Sequence, residues 1–209
     1  FENFLNEYPK SRHASQVSRY LVEVYMNTRN YDVALQSINK IRKPSAAILE
    51  AKQKVLYRLG VQEFIDGNMD KAVDFMNKSL ALKYNKATEA DAYYWKGEAL
   101  YNKGNYDSAA NCYGKALAIG GENSSMAIYG IGYSRFQKGR YDEARKQFER
   151  FVKSNGVSNE LLADAYNRIA DCHFYNRSYA NADKFYTLAS ATDKSNGDYA
   201  LYRSAVTQG

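Results

Sequence analysis

The sequence predicts an all-α fold in which copies of one helix pair stack side by side. Three observations support this prediction: only two prolines occur in 209 residues, one four-residue turn recurs along the chain, and one small residue recurs at a nearly constant spacing. Long helices need proline-poor sequence because proline removes a backbone donor and clashes with the preceding turn. A single helix pair cannot bury its own apolar face, so each pair needs copies on both sides.

Residues 90–117 show the unit most clearly. Two helical segments flank a turn at residues 103–107. Gly104 is suited to end the first helix in the left-handed conformation, which a side chain with a Cβ resists. Small side chains at Gly97 and Ala109 would let the two helices cross closely. The sequence therefore predicts a helix hairpin whose two helices cross at Gly97 and Ala109.

The unit occurs five times in the chain. The small residue of the second helix repeats about every 35 to 38 residues, at Ala34, Ala72, Ala109, Ala144 and Ala182. The predicted first helices are 12–28, 47–66, 87–103, 123–138, 159–176 and 197–208. The predicted second helices are 31–42, 69–82, 106–119, 141–153 and 179–191. The chain then divides into five full units at 12–46, 47–85, 86–122, 123–157 and 158–196, with partial units at 1–11 and 197–209.

These residues and turns resemble the tetratricopeptide repeat, a helix–turn–helix unit with small residues at its crossing points. The resemblance implies one right-handed α–α superhelix over 1–209, with the first helices lining a concave face. The spacings exceed those of the family, and its first-helix tryptophan is absent. The residues that replace that tryptophan are Ser18, Leu56, Tyr93, Ile128 and Tyr166. Because the chain starts and stops within units, we expect a fragment of a longer array.

The concave positions of the family carry many aromatic side chains in this chain. Tyrosine is abundant, with 20 residues, and tyrosine buries area with few rotatable bonds while its hydroxyl forms hydrogen bonds. The predicted partner-binding residues are Arg19, Glu23, Asn27, Tyr57, Phe64, Tyr94, Glu98, Tyr101, Asn102, Tyr129, Tyr133, Phe136, Asn167, Asp171, Phe174, Tyr175 and Tyr202. An alternative is that these rings fill gaps between neighbouring helices. The turn residues Tyr106, Tyr141 and Tyr179 are predicted to be structural.

Catalytic chemistry has little support in the sequence. His13 and His173 are the two histidines, and both are interpreted as structural. No zinc-ligand spacing or phosphate-binding glycine loop occurs. Cys112 and Cys172 lie in different repeats and are interpreted as unpaired, buried small residues. The sequence therefore predicts a protein that is not an enzyme, with no cofactor and no metal.

The net charge of +6 is mild. The basic residues that cluster in the fourth unit are Arg135, Lys138, Arg140, Arg145, Lys146, Arg150 and Lys153. Glu143 and Glu149 lie among them at helix-neighbour spacing. This pattern favours a solvated convex face over a surface for an acidic partner.

The resemblance implies a non-catalytic scaffold that binds a protein or peptide in the concave groove. One alternative is a carbohydrate or cell-wall ligand stacked on the same rings. Another is RNA bound by an array like the pentatricopeptide repeat, but the acidic groove residues Glu23, Glu98 and Asp171 disfavour nucleic acid. A further possibility is that the array belongs to an enzyme whose catalytic domain lies elsewhere.

Residues 1–11 also resemble the repeats of bacterial envelope proteins of the outer-membrane-assembly and Tol-associated classes. This likeness favours a periplasmic or outer-membrane-associated location over the cytoplasm. No apolar run reaches the roughly 18 residues that a membrane span requires, so no direct membrane insertion is expected.

Overall fold

The structure is a computed structural model that describes residues 1–208, and the regular secondary structure of that part of the chain is entirely helical. A short helix, α1 (Glu2–Glu7), precedes the full repeats. The first helices of the repeats are α2 (Ala14–Asn27), α4 (Ala46–Ile65), α6 (Lys86–Asn102), α8 (Ser124–Gln137), α10 (Asn159–Tyr175) and α12 (Asp198–Gln208). The second helices are α3 (Tyr31–Asn39), α5 (Met69–Leu80), α7 (Tyr106–Ile119), α9 (Tyr141–Phe151) and α11 (Tyr179–Thr192), and a 3-10 turn spans Lys194–Asn196.

The predicted helix bounds agree with these to within two residues, apart from the end of α3. That helix ends at Asn39 rather than residue 42. The Asn6 side chain donates to the carbonyl of Lys40 at 2.8 Å and accepts from the N–H of Arg42 at 2.8 Å. Pro44 follows, and a proline disfavours helical geometry in the residue before it. Contacts from α1 and the nearby proline therefore stop α3 early.

The close helix crossing predicted at Gly97 is confirmed. A Cβ built on Gly97 would lie 2.7 Å from two ring carbons of Tyr113. The same relation holds between Gly132 and Phe148, where the nearest approach would be 2.9 Å. Ala109 is fully buried. Each of these first helices therefore packs its glycine directly against a large side chain of its partner helix.

The turns between the paired helices use left-handed residues, as predicted. Gly104 has φ +76°. In the outer repeats, Arg29 and Arg177 occupy the corresponding positions with φ of 53° and 59°. A side chain in this region is strained relative to glycine, so the end repeats adopt the same turn at greater cost.

First helices pack against first helices of the next repeat, as α2 on α4, α4 on α6 and α6 on α8. Side chains continue the contact from α8 to α10, because Tyr129 and Tyr133 both donate to Asp164 at 2.6 and 2.5 Å. The result is an α–α superhelix of repeats. We call the surface that α6, α8 and α10 form together the groove.

Four of the seven residues of the basic cluster pair with acidic residues. The Asp107 carboxylate forms ion pairs with Arg135, Lys138 and Arg140 of the next repeat, with N···O distances of 3.2 to 3.4 Å. The hydrogen bond from Lys138 holds the pKa of the Asp107 carboxyl below its usual value. Arg145 pairs with Glu149 at 2.6 Å. These contacts agree with a solvated face.

Candidate functional site

A tyrosine and a carboxylate form the base of the groove in the third repeat. The Tyr113 hydroxyl on α7 donates to Glu98 Oε1 on α6 at 2.9 Å. Tyr113 is 1% exposed, because its ring lies between Gly97 and Gly130, where built Cβ atoms would approach it to 2.7 Å. Burial raises the pKa of the Glu98 carboxyl, and hydrogen bonds from Tyr113 and Tyr94 oppose that rise. The two glycines therefore leave room for the Tyr113 ring between the helices, and its hydroxyl reaches the half-buried carboxylate of Glu98.

A cleft of about 250 Å³ opens above this pair between α6 and α8. Its lining is dominated by tyrosine rings, with one carboxylate and one glycine. We call it the aromatic cleft; its residues are Tyr94, Glu98, Tyr101, Tyr113, Met126, Tyr129, Gly130 and Tyr133. Five of the predicted site residues thus come together in one place, namely Tyr94, Glu98, Tyr101, Tyr129 and Tyr133.

The α8 side of the aromatic cleft is fixed by the next repeat. Tyr129 and Tyr133 contact each other edge to face at 4.9 Å between ring centroids, and Tyr129 packs on Phe151 at 4.6 Å. Both hydroxyls donate to Asp164. Burial, followed by the negative charge of Asp164, raises the pKa of both tyrosines. These rings are therefore held in place and neutral before any ligand binds.

A second, polar pocket of about 260 Å³ follows along the groove at α10. It is lined by Glu160, Ala163, Asp164, Asn167, Arg168, Asp193 and Tyr199. The Asn167 side chain is 9% exposed, and its buried Oδ1 accepts no hydrogen bond from residues 1–208. An unsatisfied buried acceptor costs about 1–3 kcal/mol, so Asn167 is a locally unfavourable buried group beside the pocket.

Asp171 lies below this pocket and is 2% exposed. It accepts hydrogen bonds from Tyr186 at 2.6 Å and from Tyr199 at 2.8 Å. Arg168 lies 2.8 Å from its other carboxylate oxygen, and Arg203 of α12 approaches to 3.7 Å. Burial, with Asp171 close by, raises the pKa of Tyr199 to about 12. Asp171 thus organises α10, α11 and α12, and its own side chain is shielded from the groove.

The other predicted residues are more dispersed. Arg19, Glu23 and Asn27 are exposed on α2, and Asn102 is exposed at the end of α6. Tyr57 is half-buried, and Phe64 packs on Trp95 at 5.2 Å. The remaining rings lie towards the C-terminal ends of α8 and α10 and on α12, as Phe136, Phe174, Tyr175 and Tyr202. Of these, Tyr202 is the most exposed, at 67%.

The turn tyrosines pack as predicted. Tyr106 contacts Tyr101 at 5.2 Å, and Tyr179 contacts Phe174 at 5.5 Å between centroids. Tyr141 stacks on Tyr175 at 4.4 Å with the ring planes 7° apart. Each ring covers the end of a first helix, so these tyrosines are structural.

Sequence reasoning missed three residues of the aromatic cleft, namely Tyr113, Met126 and Gly130, and most of the lining of the polar pocket, Asp164 included. One signal was available for Gly130. It is a second glycine within a helix that already contains Gly132, and each such glycine costs about 1 kcal/mol relative to alanine. That cost indicates a position where another side chain comes close.

The titratable residues outside the groove have structural surroundings. His173 stacks on Phe185 at 5.6 Å, and burial lowers its pKa. Cys112 and Cys172 are free and buried. Among the described residues, no group of three or more His, Cys, Asp or Glu is arranged to hold a metal ion. No helix in residues 1–208 combines the length and the apolar character of a membrane span.

Fold and groove together define a helical-repeat solenoid with an aromatic inner surface. Two models of the tetratricopeptide repeat match the chain, one at residues 90–123 and one at residues 129–196. Residues 90–123 and 129–196 therefore belong to the tetratricopeptide repeat family. The matched residues do not include 1–11, so the envelope-protein likeness of that segment receives no support from them.

A curated relative is Tetratricopeptide repeat protein 1 of Schizosaccharomyces pombe, which is 23% identical over 154 residues. That match covers 68% of this chain and only 15% of the relative. A crystal structure of MamA matches with a TM-score of 0.64 at 19% identity, covering 85% of this chain and 97% of MamA. YrrB, described as a TPR protein with an unusual peptide-binding site, matches with a TM-score of 0.65 at 19% identity, covering 87% of each chain. At these identities the likeness establishes the fold.

Proposed function

We propose that this chain is a non-catalytic scaffold that binds an extended peptide segment of a partner protein along the groove. The observation that carries the proposal is the aromatic cleft, in which rings from two repeats surround an open space with a carboxylate at its base. Tetratricopeptide repeats generally serve as protein-interaction scaffolds, and the similar fold of YrrB, with its peptide-binding site, supports the same use here.

The chemistry of the groove suits a peptide. The aromatic cleft accepts one side chain, and the neighbouring polar pocket presents acidic and amide side chains to the polar groups of a peptide. Tyr129 and Tyr133 are fixed by Asp164 in the free protein. Preorganised side chains reduce the entropy lost on binding, so the groove requires little ordering to accept a ligand.

The test is a selection of random peptides on the immobilised chain, followed by affinity measurements on individual selected peptides. Tyr101→Ala is the diagnostic variant, because Tyr101 is half-buried at the cleft mouth and its hydroxyl accepts a 3.4 Å hydrogen bond from Gln137. We expect its affinities to fall about tenfold or more, in the range of binding hot spots.

Tyr84→Ala is the matched control. Tyr84 is 45% exposed in the connection between α5 and α6, away from the cleft lining. Peptides that bind both variants as tightly as the parent would contradict the proposal. A glycan array on the same proteins tests the carbohydrate alternative, which would be favoured if sugars bind, Tyr101→Ala weakens that binding, and no peptide is selected.

A further inference from the structure

The third and fifth repeats contain the same buried pair of side chains. In the third, Tyr113 donates to Glu98 from 15 residues further along the chain. In the fifth, Tyr186 donates to Asp171 across the same separation of 15 residues. Both tyrosines are almost fully buried. The two carboxylates thus occupy equivalent positions in their repeats.

In the fifth repeat the chain itself supplies a cation to this pair. Arg203 comes from the first helix of the following unit, and its Nε donates to the Tyr186 hydroxyl at 3.1 Å. Its guanidinium carbon lies 4.2 Å from the ring centroid of Phe174 and 5.7 Å from that of Tyr186. One guanidinium group therefore meets a carboxylate and two aromatic rings at once.

In the third repeat the position of Arg203 is occupied by Gly130. Gly130 has the same separation from Tyr113 along the chain as Arg203 has from Tyr186. It also lies in the equivalent place, since a Cβ on Gly130 would approach the Tyr113 ring to 2.7 Å. The ring that corresponds to Phe174 is Tyr101, which lines the aromatic cleft. By its position in the repeat, the aromatic cleft therefore corresponds to the space that the Arg203 side chain fills beside Tyr186.

The charge at the base of the cleft lacks a counter-ion among residues 1–208. Asp164 and Asp171 both pair with Arg168, whereas Glu98 forms no ion pair with the described residues. A cation placed within about 4–6 Å of a half-buried carboxylate favours the ionised form of that carboxylate. Tyrosine faces also attract cations, arginine above all. The volume of about 250 Å³ lies below that of pockets for whole small molecules and suits one side chain.

We propose that the aromatic cleft binds an arginine side chain of the ligand, with its guanidinium group against Glu98 and the tyrosine rings, in the place that Arg203 fills in the fifth repeat. Lysine is accepted less well because its ammonium cannot pair bidentately with a carboxylate. This assignment rests on the proposed peptide-binding function.

The experiment compares four fluorescent heptapeptide pools that have the same degenerate flanks and differ only at the central residue. That residue is arginine, citrulline, lysine or norleucine; citrulline has nearly the shape of arginine without its charge. Fluorescence anisotropy on the parent chain should show the arginine pool binding at least about tenfold tighter than the citrulline pool, with lysine between arginine and norleucine.

The diagnostic variant is Glu98→Gln, whose amide oxygen can still accept the hydrogen bond from Tyr113. In this variant we expect the affinity for the arginine pool to fall to nearly that for the citrulline pool, while the affinity for the citrulline pool stays unchanged. Glu143→Gln is the matched control, since Glu143 is exposed on α9, and it should keep the arginine-to-citrulline affinity ratio of the parent.

Each outcome decides between the proposals. If the pools bind the parent with equal affinity, the arginine subsite is wrong and the peptide-binding groove stands. The same holds if Glu98→Gln keeps the full preference for arginine. If no pool binds the parent, both the groove and the subsite are wrong. The comparison of arginine with citrulline on the parent is independent of whether any variant folds.

Discussion

The third and fifth repeats place a tyrosine and a carboxylate in equivalent positions and then diverge. In the fifth repeat, Asp171 is enclosed by Arg168 and Arg203 and is 2% exposed. In the third, Glu98 faces an open cleft beside Gly130. The comparison shows how one buried polar pair can serve two purposes. With its cation supplied internally it joins helices, and without that cation it leaves a charge available to a ligand.

The largest loss of stability is expected in the fifth repeat, where the carboxylate of Asp171 is enclosed. Asp171→Asn removes the charge that holds Arg168 and Arg203, and breaking a buried pair costs about 3–5 kcal/mol. Because these arginines remain 20% and 19% exposed, we expect about 3 kcal/mol, the lower end of that range. Urea unfolding measures the change. Asp142→Asn, at a carboxylate that is 72% exposed, should cost less than about 1 kcal/mol; equal losses would contradict the structural role of Asp171.

Arg203→Met should cause the next largest loss of stability. It keeps an apolar side chain of similar length but removes the hydrogen bond to Tyr186 and the contact with Asp171. Hydrogen bonds to charged groups contribute about 1.5–3 kcal/mol, so we expect a loss of about 2 kcal/mol. Repeats contact chiefly their neighbours, and amide exchange should therefore quicken in α12 and stay unchanged in α6 and α7. Arg150→Met, at an exposed site on α9, is the control, and uniform exchange changes would refute a local role.

Gly97→Ala tests why the third repeat carries glycine where the fifth carries Ala170. The added Cβ would meet the buried Tyr113 ring at 2.7 Å, and overpacking a tight core costs about 1–3 kcal/mol. Ala170→Gly, the reverse change, should cost about 1 kcal/mol for the loss of helix propensity. Thermal melting measures both. A higher melting temperature for Gly97→Ala would show that Tyr113 has room to move and that the crossing is not tight.

Glu98→Gln should have the smallest effect on stability, and the opposite sign to Asp171→Asn. Burial raises the pKa of Glu98 in the folded state, so the folded parent binds more protons than the unfolded chain between the ordinary and the raised values. Its stability therefore falls as pH rises through that interval. We expect Glu98→Gln to melt higher than the parent at pH 7.

The difference in melting temperature between Glu98→Gln and the parent should shrink towards zero below the ordinary glutamate pKa of about 4.3. Melting curves of both proteins between pH 4 and pH 7 measure it. A constant difference over that range would contradict the assignment of the effect to the charge on Glu98. Higher stability combined with weaker arginine binding would indicate that the open carboxylate is retained for binding.

Much of the fold could be predicted because its signals are local. The turn at Gly104, the small residues at Gly97 and Ala109, and the periodic apolar faces each act within one repeat. Stacking then follows, since every unit must cover the same apolar face of its neighbour. The aromatic character of the groove was also predictable, because the first-helix positions recur with the repeat. The helix bounds were therefore correct to within two residues, apart from the end of α3, which depends on a distant contact from Asn6.

What the sequence by itself determined about this protein is the repeat, its phase and the ring-rich first helices. Only the tertiary structure decided which carboxylates are enclosed and which is open. Glu98 and Asp171 look alike as acidic residues at one position of the repeat. Their difference lies in a residue 32 positions further on, Gly130 in one case and Arg203 in the other. Packing between neighbouring repeats brings those residues together, and no single helix contains that information.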